Sequence, residues 1–139
     1  MLPSLSPGVC LDRRLVIDAS RCITFMGPDA MVYATPWMVS DAEYACHDAI
    51  VPHLHPHESS VGVQVHIDHL AATPVGMEVA FEVRVVDVDK RRVTFEFTVR
   101  DELELVGRGR HTRFVVDRER TVNRLNEKRA RASTAQQNR

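Results

Sequence analysis

Three side chains in this sequence have the chemistry to act together on an activated ester: the hydroxyl of Thr35, the carboxylate of Glu43 and the imidazole of His69. Thr35 and Glu43 lie eight residues apart in the run Thr35-Pro36-Trp37-Met38-Val39-Ser40-Asp41-Ala42-Glu43, and His69 ends the alternating stretch that starts at Val61. Such a hydrolysis needs a hydroxyl or water to attack, an imidazole to carry its proton, and a carboxylate to orient or activate them.

The spacing predicts that one helix carries the first two. It begins near Pro36, with Thr35 as N-cap, because Thr is a favoured cap and proline suits the first helical position, where its missing N–H is not needed. It runs to about Ile50 and stops at Pro52. At 100° per residue, Met38, Val39, Ala42, Ala45, Cys46, Ala49 and Ile50 form one apolar arc. Glu43 falls at the edge of that arc, so it is expected to face the sheet and to gain proton affinity by burial. The simpler reading is a glutamate reaching water on its flexible stem. Asp41 and Asp48 fall on the far side, where solvated carboxylates belong. Thr35 as a plain cap is compatible with chemistry, since unpaired N–H groups at a helix start favour an oxyanion.

Beyond the helix, a loop holds His53, His55, Pro56 and His57, and then the period changes to two. Val61, Val63, Val65 and Ile67 alternate with polar residues, which predicts a strand with one buried face. His69 shares their register and points inward, whereas His66 points outward; an inward histidine is also a common core residue. Further strands are expected over 77–87, 93–100 and 103–116, the last containing Gly107 and Gly109, which signal a bulge or a close backbone approach. Short extended pieces at 15–17 and 22–25 flank a turn at 18–20. Residues 1–10 read as a loose lead-in, a polar helix carrying Val122 and Leu125 is expected from about Arg118, and 132–139 as a disordered tail. A long early helix followed by antiparallel strands is an α+β pattern, with the sheet wrapped around the helix.

Thr35 and Glu43 would stand roughly 12 Å apart along the helix axis. They therefore act on different parts of a substrate, or two copies of the chain bring them together; a site shared across a dimer is the preferred reading.

Bulk properties exclude several classes. At 139 residues, with 18 Lys+Arg against 19 Asp+Glu, the chain fits one core and carries no charge excess suited to nucleic acid. No apolar run nears the roughly 20 residues of a membrane span, and residues 1–8 lack the pattern of a secretory signal. Cys10, Cys22 and Cys46 are odd in number and include no Cys-x-x-Cys pair, so no disulfide framework, metal or cofactor is expected, and a reducing cytoplasm is the default. His53, His55 and His57 lack a fourth ligand and read as a solvated loop. The basic stretch 118–131 reads as a solvated face, or as a patch attracting phosphates.

Taken together, these segments resemble a hotdog-fold thioesterase of the fluoroacetyl-CoA thioesterase group. The resemblance spans about 23–131. It rests on Tyr33-Ala34-Thr35, Met38-Val39, Glu43, the stretch from Gly62 to His69, Ala71-Ala72-Thr73-Pro74 with Gly76, and Gly107-x-Gly109-x-His111-x-Arg113. It implies a single hotdog domain over 1–139, acting as a homodimer or dimer of dimers on an acyl-CoA, without nucleic acid or membrane. Carried over by position, Thr35, Glu43 and His69 match the family's hydroxyl, carboxylate and histidine. Gly62 matches a glycine near the reacting carbonyl, and Arg113 an arginine near the pocket. The segment 25–32 is short and offers at most Phe25 or Met26 in place of the phenylalanines that lid the pocket of the fluoroacetyl-specific enzyme, so that selectivity is not implied. The competing reading is a non-catalytic acyl-CoA binding or sensing domain. An enoyl-CoA hydratase ranks lower, because Asp41 is expected on the wrong side of the helix.

Overall fold

The computed structural model describes residues 1–138. Its centre is helix α1 (Thr35–Ile50), against which five antiparallel strands curl: β1 (Cys10–Val16), β2 (Glu58–His69), β3 (Glu78–Asp89), β4 (Arg92–Arg100) and β5 (Leu105–Asp117). The sheet order is β1-β3-β4-β5-β2, so β1 and β2 form the two edges. A terminal helix, α2 (Arg118–Gln137), follows β5 without a break and buries none of its residues.

The core follows from two interlocked periodicities. β3 turns Val79, Phe81, Val83 and Val85 inward, and β4 turns Val93, Phe95, Phe97 and Val99 inward. Their register sets Phe81 beside Val99, Val83 beside Phe97 and Val85 beside Phe95, so apolar partners meet across the ladder on one face. Against that face α1 buries Met38, Ala42, Ala45, Cys46, Ala49 and Ile50. Three alanines in this stripe let the helix lie close to the sheet. The two glycines of β5 serve the same end: a Cβ on Gly107 would meet Met38 Sδ at 2.5 Å, and one on Gly109 would meet the carbonyl oxygen of His66 and the ring of Phe97. Both mark close approach, and beside Gly107 the β4–β5 register also slips, with Val99 opposite Gly107 and Arg100 opposite Leu105; a further bulge has the larger effect.

That bulge is in β2, and it corrects the expected face. Register slips between Gly62 and Gln64, which leaves Val63 as an inserted residue. Up to that point Ser60 and Gly62 pair with Val115 and Arg113; beyond it Val65, Ile67 and His69 pair with His111, Gly109 and Gly107. Directly paired residues share a face, so the helix-facing set switches from even to odd numbers at the bulge. Val61 is thereby turned to the outer side with Phe114. Val61, Val63 and Val65 are 41%, 52% and 42% exposed, not buried. His69 keeps its inward register.

Other differences are smaller. The first residues are held down: Leu5 is buried, and Gly8 N–H donates to the Val85 carbonyl at 2.9 Å. The extended piece at 22–25 reduces to a bridge between Cys22 and Tyr33. Helix α2 continues through Gln137 rather than fraying from Ala132; Arg139, the last residue of the expected tail, lies outside the described residues.

Because the Gly109 cradle includes backbone that cannot yield, Gly109→Ala is expected to destabilise the fold by about 1–3 kcal/mol. Thermal unfolding measures this, and a melting temperature equal to that of the unchanged protein would contradict the close approach.

Candidate active site

Thr35 is the first residue of α1, not its cap. Ala34 occupies the cap position, and no side chain satisfies the helix start. The shift of one residue frees the hydroxyl, and Thr35 Oγ1 instead lies 2.6 Å from Nδ1 of His69. His69 comes from the end of β2, where the inward phase delivers it to the start of α1. Its Nε2 is buried and makes no hydrogen bond. Burial pushes the imidazole below its ordinary value, opposed by the Ala71 backbone, so the ring is neutral at pH 7. A neutral imidazole against a hydroxyl at the positive end of a helix is the arrangement of a base and its nucleophile. Tyr33 stands edge-on to the ring, with centroids 6.5 Å apart.

Glu43 belongs to a second cluster, two turns down the helix. Its side chain is 46% exposed, and Arg113 Nη1 donates to Glu43 Oε1 at 3.2 Å. The expected inward carboxylate is therefore half in solvent, held by a cation from β5. Gly62 lies directly beneath: a Cβ there would stand 2.7 Å from Glu43 Oε1 and 3.1 Å from His111 Cε1. Arg113 itself is buried. Its Nε donates to Ser60 Oγ (2.8 Å), its Nη2 to the Ser60 carbonyl (2.9 Å), and its Nη1 also to His111 Nε2 (3.1 Å). His111 Nδ1 donates to the Gln64 carbonyl at 2.8 Å, which fixes its tautomer and leaves Nε2 as the acceptor for Arg113. Ser60 Oγ also lies within hydrogen-bond distance of His47 Nδ1, 2.7 Å away. A cleft of about 290 Å³ opens beside the cluster, lined by Glu43, Tyr44, His47, Ser59, Ser60 and Arg113.

Sequence reasoning thus named Thr35 and His69 of the first cluster and Glu43, Gly62 and Arg113 of the second, and phase placed His69 facing α1. Ser60, His47 and His111 were missed as partners. His111 was accessible in principle, since it shares the register of Arg113 two residues on. Ser60 was hidden by the bulge, which reverses the parity of β2. Asp41 requires correction: it is buried rather than solvated. Tyr33 donates to Asp41 Oδ2 at 2.5 Å, Arg21 Nε to the same oxygen at 3.1 Å and Arg21 Nη2 to Oδ1 at 3.3 Å, while the guanidinium sits 5.3 Å from the Trp37 ring. The helical wheel could not foresee that the segment before α1 folds back over that flank. Asp48 on the same flank pairs with Arg13 at 2.7 Å. In the histidine loop, His53 bonds to Ser4 Oγ, and His55 and His57 stack in the open.

A helix-wrapping five-stranded sheet of this order defines the hotdog fold, and a hot-dog-like protein from Thermanaerovibrio acidaminovorans, 22% identical, superposes with a TM-score of 0.82 over 91% of this chain and 93% of its own. Residues 17–119 match the model of the fluoroacetyl-CoA-specific thioesterase family, and the chain belongs to that family. The fluoroacetyl-CoA thioesterase of Streptantibioticus cattleyicolor is 36% identical over 89 residues, so that the match spans 64% of this chain and 64% of that relative's length. A solved structure of a fluoroacetyl-CoA thioesterase, 28% identical, superposes with a TM-score of 0.81, covering 88% of this chain and 96% of that one. A Thermus thermophilus protein described as a thioesterase superfamily member gives 0.88 at 26% identity, over 96% and 99% of the two chains.

His47, His69 and His111 are each held below the ordinary imidazole value, first by burial. The unfolded chain therefore takes up protons before the folded one, and stability is complete above about pH 6.5 and lost as pH falls through the folded values. Urea unfolding is expected to show a lower midpoint at pH 5.5 than at pH 7.5. An equal or higher midpoint at pH 5.5 would show that these rings are not buried neutral.

Proposed function

We propose that this chain hydrolyses a small acyl thioester of coenzyme A to the free acid and the thiol, with Thr35, Glu43 and His69 as its chemical groups. Family membership supports the reaction class. The observation that carries the assignment is the pairing of Thr35 Oγ1 with His69 Nδ1 at a helix start, with the remaining ring nitrogen buried and unpartnered. In this reading the carbonyl is attacked by the Thr35 hydroxyl or by a water. The proton goes to neutral His69, and the positive potential at the start of α1 favours the oxyanion. Protonated His69 passes that proton to the departing sulfur as the C–S bond breaks, which gives the thiol. Where a water activated by Glu43 attacks, the acid is released in the same step; where Thr35 attacks, a water then hydrolyses the acyl ester on Thr35. Gly62 leaves room for the acyl group beside Glu43, and Arg113 holds the carboxylate.

Within one chain the Thr35–His69 pair and the Glu43–Gly62–Arg113 cluster are separated by roughly 12 Å along α1. A homodimer closes that gap. β2 is an edge strand whose valines are exposed, and such an edge favours pairing with another strand. Antiparallel pairing of two β2 strands about a twofold axis between positions 65 and 66 would set Gly62 of each copy opposite His69 of the other. The site would then combine Glu43 from one copy with Thr35 and His69 from its partner.

Glu43→Ala and His69→Ala are each expected to lower turnover 10²–10⁴-fold, roughly the contribution of a general acid or base, while both proteins stay folded. Thiol release from a panel of acyl-CoA esters measures this. Wild-type turnover in both variants, or saturable binding of every ester with no thiol release, would contradict hydrolysis at this site and favour a binding domain.

A further inference from the structure

Arg113 is a buried cation whose hydrogen-bond donors are shared among four acceptors, only one of which is Glu43. A guanidinium left to itself meets a carboxylate side-on, with two parallel N–H···O bonds. Here that geometry is denied. Nε–H and one Nη2–H are committed to the hydroxyl and the carbonyl of Ser60. The two Nη1 hydrogens are divided between Glu43 Oε1 and His111 Nε2. We infer that Ser60 and His111 are positioning residues that confine Arg113 to a single end-on hydrogen bond with Glu43, which leaves the second carboxylate oxygen for the reacting water. The inference rests on the function proposed above for Glu43.

Each partner is itself constrained to this duty. His111 is locked as the Nδ1–H tautomer by the Gln64 carbonyl, a group brought into place just past the β2 bulge, so Nε2 has only a lone pair to offer. Protonating that nitrogen would set an N–H against the guanidinium. Ser60 Oγ accepts from Arg113 Nε and is held on its other side by His47 Nδ1. His47 and Cys46 on α1 face Glu43, as do His111 and Arg113 on β5. β2 contributes the neutral Ser60 and Gly62. Arg113 is the permanent cation of this set, so the way its donors are divided governs how strongly Glu43 is held as a bound anion.

The test uses Ser60→Ala, His111→Leu and His111→Gln in the full chain, with two readouts. One is the titration of the Glu43 carboxyl carbon by NMR, and the other is the pH profile of kcat/KM with the coenzyme A ester that turns over fastest. The donor freed in each variant is expected to turn toward Glu43. In Ser60→Ala and His111→Leu the carboxyl midpoint and the acid limb both move to lower pH, and kcat falls about 10-fold. His111→Gln, whose amide oxygen can accept from Nη1, restores both. A purely structural role lowers the thermal midpoint with neither pH readout moving, and that result overturns the inference. If His111→Leu does not fold, Ser60→Ala decides by the same readouts. Wild-type turnover in Glu43→Ala would instead remove the proposed function, while the carboxyl titration would still report whether Arg113 is confined.

Discussion

A single inserted residue in β2 determines what the rest of the molecule can do. A regular strand shows residues of one parity to one side, yet Gly62 and His69, of opposite parity, both face α1. They do so because the ladder slips at Val63. The bulge lets one strand serve two places on the helix: its first half meets Glu43 with Ser60 and Gly62, and its second half meets Thr35 with His69. Removing the insertion would turn one half or the other outward, because a one-residue slip moves every following side chain to the opposite face.

The same insertion explains what was legible in the sequence and what was not. The long helix, the order of elements and the inward β3 and β4 positions follow from periods of 3.6 and 2, which α1 keeps throughout and β3 keeps up to Val85, before its register slips. His69 was placed correctly because the register of Val65 and Ile67 runs unbroken to it. Val61 was misplaced and Ser60 missed because the phase was not broken at the slip, and Val63 carries no local signal such as a glycine of its own. Thr35 was misread as a cap by one position. That one position decides whether its hydroxyl is used by the helix or by His69. Asp41 was misread for a different reason: periodicity describes one helix face against one sheet and is blind to a chain segment returning over the flank, as Arg21 and Tyr33 do.

The electrostatics of the site are divided in the same way. Around Thr35 the helix start supplies positive potential and the buried imidazole stays neutral, which suits proton transfer from a hydroxyl. Around Glu43 a buried guanidinium supplies positive charge but is shared among neutral acceptors. Taking a full cation out of water is costly unless its donors are satisfied, and Ser60, His111 and Glu43 together meet that requirement. The two environments lie too far apart in one chain to act on one carbonyl, while the exposed β2 edge offers a way to bring each into contact with the other's counterpart in a second copy.

Subunit complementation tests this division most directly. Glu43→Ala and His69→Ala chains are unfolded together and refolded as a mixture, and thiol release is compared with each variant alone. If each site takes Glu43 from one copy and His69 from the other, half of the dimers are mixed and each mixed dimer regains one intact site, so that activity returns to about a quarter of the wild-type value. Activity no higher than that of the separate variants would place all three groups within one chain and contradict the account.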